Sequence, residues 1–209
     1  MKKSQVQFRC SAPYFTLGEV HDNTKTIWLI FHGYGQLVES FYEKFSAIDL
    51  EKNKLIFPQG LSKFYLKGVD KQIGASWMTA YDRDTDIQNY INYLDEIYEG
   101  EVSQHDAKIN VLGFSQGVHT ASRWMHKSKI PYQRFIAWGA GLAHEIDKVM
   151  VLQSFNGENY VVIGDQDRFI NREAREKMER RYRTIGFKYN LITYQGTHDI
   201  YPDVLENLF

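Results

Sequence analysis

The chain reads as an α/β fold, with a mostly parallel sheet, helices on both faces and an antiparallel start. Three observations predict it. Short apolar runs alternate along the chain with longer stretches of helical periodicity, which implies right-handed crossovers between parallel strands. The strongest run, Ile27-Trp28-Leu29-Ile30-Phe31, is apolar throughout, as expected of a central strand buried on both faces. No Pro/Gly/Ser-rich linker, repeat or low-complexity stretch divides the 209 residues, so a single domain over 1–209 is expected.

The elements follow in order. Val6 to Cys10 and Tyr14 to Val20 both alternate apolar with polar residues around Ser11-Ala12-Pro13, which predicts an antiparallel N-terminal hairpin. Thr26 to Phe31 is the first central strand. Val38 to Leu50 places Phe41, Phe45 and Ile48 on one helical side. Lys54 to Phe57 is a short strand stopped by Pro58 and Gly60. Asp84 to Tyr98 is an amphipathic helix carrying Ile87, Tyr90, Ile91, Leu94, Ile97 and Tyr98, with early aspartates and Gly100 near its end. Strands over Lys108–Leu112, Phe135–Trp138, Tyr160–Ile163 and Tyr189–Tyr194 alternate with helices over Gln116–Lys127 and Asn171–Ile185; a short helix over Pro202–Leu208 closes the chain. The stretch between Gly141 and Tyr160 is too short for an independent cap domain, so none is expected there.

Bulk properties exclude several classes. A formal net charge of −1 gives no electrostatic footprint for nucleic acid or an anionic membrane. No apolar stretch approaches the length of a membrane span. Met1-Lys2-Lys3 is followed by no apolar segment of a secretory leader. The single cysteine, Cys10, excludes an internal disulfide, fits a cytoplasmic protein and has no chemical motif around it. No metal-ligand spacing, phosphate-cradling loop or dinucleotide fingerprint stands out, so no metal or cofactor is expected. The sequence does not determine the oligomeric state.

In parallel sheets function gathers beyond the carboxyl ends of the strands. Those ends carry His32-Gly33-Tyr34-Gly35-Gln36, Gly113-Phe114-Ser115-Gln116-Gly117, Gly139-Ala140-Gly141, Gly164-Asp165-Gln166-Asp167 and Gly196-Thr197-His198-Asp199. A serine, an acid and a histidine thus lie in the chain order of an α/β-hydrolase. A serine hydroxyl needs an imidazole to take its proton as it attacks, and the imidazole needs a carboxylate to fix its tautomer and stabilise its cation. Glycines beside the serine free the strained turn from side-chain clashes. The pentapeptide alone carries about 0.07 chance matches per chain of this length at ~7% per residue, so its placement between a strand and a helix carries the weight. The plainer alternative makes Gly113 and Gly117 packing glycines and Ser115 a helix N-cap.

Ser115 is thus the candidate nucleophile, His198 the base and Asp167 the acid, with Asp165 the competing carboxylate. Asp199 and Asp203 lie too near His198 in sequence to brace it, and read as a solvated pair or a helix cap. Backbone N–H donors for an oxyanion are expected from Gln116 and from Tyr34 or Gly35. His32 reads chiefly as a loop-shaping residue, with a second base as the alternative. His119 is expected to pack, and His21, His105, His126 and His144 to lie on surfaces or loops. His32, Trp77, Met78 and Tyr81 are the candidate pocket residues. With Phe64 and Tyr65, the aromatic residues of the Gly60–Arg83 loop line an acyl pocket or else cover the edge of the sheet.

Leu29 to Gly35, Gly113-Phe114-Ser115-Gln116-Gly117, Gly164-Asp165-Gln166-Asp167 and Gly196-Thr197-His198 together resemble the phospholipase/carboxylesterase family, which includes bacterial carboxylesterases and acyl-protein thioesterases. Pro58-Gln59-Gly60 and Trp77 also sit where that family places similar residues. The resemblance implies an α/β-hydrolase fold and a serine hydrolase of carboxylic esters or thioesters. It implies Ser115, Asp167 and His198 as the triad and the backbones of Tyr34 and Gln116 as the oxyanion donors. Val118, Phe169-Ile170-Asn171 and Thr197 depart from the family's usual residues, all around the pocket. A small acyl ester or thioester is the expected partner. Acyl transfer through the same triad, and a non-catalytic binding protein on this fold, are the competing functions.

Overall fold

The computed structural model describes residues 1–66 and 72–209. A seven-stranded sheet has the order β1-β3-β2-β6-β7-β8-β9, formed by β1 (Tyr14–Leu17), β2 (Thr26–Phe31), β3 (Asn53–Pro58), β6 (Lys108–Phe114), β7 (Arg134–Trp138), β8 (Glu158–Gly164) and β9 (Asn190–Tyr194). Every pairing in it is parallel except β1 with β3. The chain steps outward from β2 to β3 and then returns to lay β6 on the other side of β2. The order reverses there, the switch point at which ligand sites of open α/β sheets gather.

β2 shows why the sheet is covered on both sides. Ile27, Leu29 and Phe31 point into one core, with Ile91 and Leu94 of α2 (Arg83–Glu101) and Ala121 and Trp124 of α3 (Gln116–Ser128). The same core takes Val151 of α4 (Lys148–Ser154) and Tyr182 of α5 (Arg172–Ile185). Trp28 and Ile30 point the other way, into a core shared with Phe41 of α1 (Val38–Phe41) and Leu205 of α6 (Pro202–Leu205). The alternation of side chains along a strand thus assigns helices to both faces, as the apolar run predicts.

Four features differ from the sequence reading. Val6 to Cys10 forms no strand and pairs with nothing; Val6 and Phe8 are exposed. The antiparallel partner of Tyr14–Leu17 is β3, through Tyr14 with Pro58 and Leu17 with Leu55. The N-terminal segment instead contacts the start of α2, where Lys3 pairs with Asp82 and Gln5 donates to Thr85. The helix expected over Val38–Leu50 is only α1, followed by a 3-10 turn over Tyr42–Phe45. The Gly60–Arg83 loop contains a hairpin of β4 (Ser62–Tyr65) and β5 (Ile73–Ser76), which the sequence reading did not identify. α4, capped by the Asp147 carboxylate on the Met150 N–H, was not identified either.

Trp28 is buried to 1% exposure, stacks on Phe209 at 3.8 Å between ring centres, and donates its indole N–H to Thr26 and Asn53. Trp28→Ala leaves a cavity and removes the indole N–H from Thr26 and Asn53, which keep their bond to each other. A loss of about 3–5 kcal/mol is expected in urea unfolding, whereas Leu191→Ala on the half-open edge strand β9 should change stability by under about 1 kcal/mol; equal losses would contradict this account of the core.

Candidate active site

The turn between β6 and α3 is the most constrained place in the chain. Ser115 has φ 53° and ψ −118°, a backbone region that costs about 1–3 kcal/mol for a residue with a side chain. Its N–H stays in the sheet, donating to the Trp138 carbonyl at 2.8 Å. A Cβ on Gly117 would lie 2.2 Å from the Phe31 carbonyl oxygen, and one on Gly113 would lie 2.6 Å from Val118. Only glycine lets the first turn of α3 rest on the end of β2 this closely. Ser115 is half-buried, and its hydroxyl makes no hydrogen bond among the described residues. Gln116 opens α3, where a backbone N–H has no partner within the helix.

The loop after β2 faces this turn. A Cβ on Gly33 would meet the Ser115 side chain at 3.2 Å, so the two segments touch. Several of its N–H groups are committed. Gly33 donates to the Gln36 side chain at 2.7 Å, Gly35 to the Ala75 carbonyl at 2.8 Å, and Gln36 back to Gly33 at 3.3 Å. Among the described residues, the N–H of Tyr34 has no acceptor, and neither has that of Gln116. The hairpin braces this loop, through the bridge between Gln36 and Ala75 and the packing of Phe64 on Tyr34.

His32 underlies the loop and is fully buried. Its Nδ1 lies 2.7 Å from the Gly33 carbonyl, and its Nε2 accepts the Gly60 N–H at 2.9 Å. A carbonyl on one side and an amide on the other fix the neutral Nδ1–H tautomer. Burial pushes its pKa down to about 4. Trp77 covers it, with ring centres 5.0 Å apart, and donates its indole N–H to the His32 carbonyl.

The candidate acid and the candidate base come together across β8 and β9. His198 Nδ1 lies 2.6 Å from Asp167 Oδ2, and Asp167 Oδ1 accepts the N–H groups of Phe169 and Ile170. Asp167 is buried, while the competing Asp165 is exposed and accepts the Gly196 N–H. The carbonyls beside His198 are held from below. Tyr194 Oη donates to those of Thr197 and Asp199, and the Trp138 indole reaches Asp199 as well. Burial pushes the Tyr194 phenol up to about 12, so it remains a donor. Phe114, the residue before Ser115, packs on the imidazole at 4.9 Å between ring centres, and Phe169 meets it edge-on at 4.7 Å. Asp199 pairs with Lys44 rather than with a neighbouring acid.

The pocket candidates separate. His32 and Trp77 line no open pocket: both are closed into the core beneath the loop, where their aromatic faces and polar atoms are already satisfied. Tyr81 is exposed, and Met78 is half-buried. The side chain of Gln116 is a bolt that the sequence reading did not anticipate. It accepts the Trp77 N–H and donates to the Met78 carbonyl, fastening the loop after β5 to the start of α3. Arg123 of α3 and Arg83 of α2 both bind Glu145 in the loop after β7. Burial alone would raise the Glu145 carboxyl, but the Arg123 hydrogen bond and the charges of both arginines outweigh it and hold it at about 2. His119 lies on α3 and is half-buried, and burial holds it at about 4. Among the described residues no three His, Cys, Asp or Glu side chains are grouped to hold a metal ion. A groove of about 480 Å³ between the acid loop and α5 is lined by Asp165, Ile170, Arg172 and Arg175, and not by Ser115 or His198.

Comparisons place this geometry among known proteins. Residues 15–209 match the family model described as phospholipase/carboxylesterase. The esterase PE8 superposes with a TM-score of 0.69 at 19% identity, covering 95% of each chain. Acyl-protein thioesterase 2 of Zea mays superposes at 0.71 with 14% identity, over 95% of this chain and 96% of its own. SOBER1 of Arabidopsis thaliana does so at 0.61 with 15% identity, over 88% and 96%. At these identities the likeness is one of fold. Sequence comparison with curated proteins gives no match.

Burial of neutral His32 has a consequence for stability. An unfolded histidine takes its proton near pH 6.5, whereas the folded His32 holds off until about 4. The stabilisation is complete above pH 6.5 and is lost as pH falls toward 4, by about 3 kcal/mol for such a site. Urea unfolding should show stability falling across that window, with His119 adding to the slope in the same direction. His32→Gln, which takes up no proton in either state, should flatten the slope by about one proton; an unchanged slope would contradict the assignment.

Proposed function

The chain belongs to the phospholipase/carboxylesterase family of hydrolases, and from there we propose that it is a serine hydrolase that cleaves carboxylic esters or thioesters through an acyl-enzyme. We read its 209 residues as one catalytic domain, acting on a small acyl substrate. The single, exposed Cys10 fits a reducing compartment such as the cytoplasm. The observation that carries the proposal is the 2.6 Å pair of His198 and buried Asp167, set beside a strained, half-buried serine.

In this reading Ser115 Oγ attacks the acyl carbon while His198 Nε2 takes its proton. Asp167 bonds Nδ1–H, which leaves Nε2 as the free base and stabilises the imidazolium that forms. The two N–H groups without acceptors, on Tyr34 and Gln116, flank the serine and receive the oxyanion; the commitment of the Gly35 N–H to Ala75 favours Tyr34 over Gly35. Such a donor typically contributes about 2.7–4 kcal/mol in the transition state. His198 then returns the proton to the departing alcohol or thiol, the acyl–oxygen or acyl–sulfur bond breaks, and water repeats the sequence on the acyl-enzyme.

The test uses an active-site fluorophosphonate and p-nitrophenyl acetate. Ser115→Ala should abolish labelling and turnover, and Asp167→Asn should lower kcat by about 10⁴-fold through loss of the tautomer. Asp165→Asn should cost far less. Full labelling of Ser115→Ala, or equal losses at the two aspartates, would overturn the proposal.

A further inference from the structure

The rim of the site carries a cation that the proposed chemistry does not use. Arg168 follows the acid directly and is exposed. Among the described residues it makes no hydrogen bond and no ion pair. Its guanidinium carbon lies 4.7 Å from the centre of the Phe169 ring, and the same ring meets the His198 imidazole edge-on at 4.7 Å. An exposed arginine ordinarily samples many rotamers. Here an aromatic face gives it a seat within two ring contacts of the base. Lys44 is already committed to Asp199, and Arg172 and Arg175 beside the same loop are paired with Glu176 and Glu179.

We infer that Arg168 recognises an anionic group, a carboxylate or a phosphate, on the leaving-group half of the substrate. The inference rests on the serine-hydrolase reading. The side of the site follows from the chemistry. His198 must deliver its proton to the departing oxygen or sulfur, so the leaving group lies on the imidazole's side of Ser115 and the oxyanion loop receives the carbonyl oxygen. Arg168 stands on that imidazole side, on the ring that packs against it. Stacking occupies one face of a planar guanidinium and leaves its N–H fork open, which suits two-point binding of a carboxylate or phosphate. Phe169 would also offer its edge to an aromatic or aliphatic leaving group.

Two esters with the same acyl group separate the effects: 4-acetoxybenzoate, which releases an anionic phenol, and 4-acetoxybenzamide, which releases a neutral one. Arg168→Ala should lower the ratio of kcat/KM for the anionic over the neutral ester about fivefold, mainly through KM. Arg168→Lys should restore part of it, and 0.5 M salt should erase the wild-type preference. An unchanged ratio overturns the inference. So does an equal loss on both esters, which would make Arg168 a support for Phe169 and His198 only. Calorimetric binding of 4-acetoxybenzoate to Ser115→Ala, with and without Arg168, reads the anion site independently of turnover. If the wild type cleaves neither ester yet binds the anion through Arg168, the hydrolase reading fails and the anion site stands. If the binding does not depend on Arg168, the anion site fails whatever the turnover.

Discussion

The contact on which the rest of the site depends is the seating of Gly117 on the last carbonyls of β2. With a Cβ position 2.2 Å from the Phe31 oxygen, the first turn of α3 leaves no space between helix and strand. That approach holds Ser115 in its strained conformation and presses it against the loop that begins at His32. It also explains why two loops far apart in sequence need no flexible linker to meet. β2 and β6 are hydrogen-bonded neighbours from Thr26 with Lys108 to Phe31 with Gly113, so both loops start from the same edge of the same pair of strands.

Around that contact the protein arranges polar groups so that few are left over. His32 uses one ring nitrogen on the Gly33 carbonyl and the other on the Gly60 N–H beyond β3, Gln36 and Ala75 take the N–H groups of Gly33 and Gly35, and Gln116 uses its side chain on the loop after β5. Among the described residues, the N–H groups of Tyr34 and Gln116, next to the contact between the two loops, are left without acceptors. A site that receives developing charge needs donors that are oriented yet unspent, and rigid neighbours provide both at no cost of reorganisation. His198 is held with the same economy, since Tyr194 and Trp138 fix the carbonyls on either side of it and leave its ring to Asp167 and Phe114.

Much of this was legible in the sequence, for a physical reason. Continuous apolar runs such as Thr26–Phe31 can only be central strands, and glycines, serine, acid and histidine at their ends stand out because those ends are otherwise turn residues. The sequence favours Asp167 over Asp165 as the acid, and in the structure it is Asp167 that pairs with His198, across the ends of β8 and β9. The hairpin of β4 and β5 escaped notice because its strands are short, partly exposed and pair mainly with each other. The strand expected at Val6–Cys10 shows the converse: the outer edge of β1 is open, yet the segment runs instead to the start of α2, where Lys3 and Gln5 are held by Asp82 and Thr85. His32 and Trp77 were put in a pocket on the strength of their chemistry. Burial depends on what packs over a residue, and here they cover each other.

The position of β9 carries a last implication. It is the outer strand of the sheet and has one hydrogen-bonded neighbour, β8, whereas β6 has two. Ser115 therefore stands on the best-anchored part of the molecule and His198 on one of the least. Local opening starts where ladder bonds are fewest, so gentle heating would part His198 from Asp167 while the turn at Ser115 and most of the sheet were still intact. Such a molecule would fail as a machine before it failed as a fold.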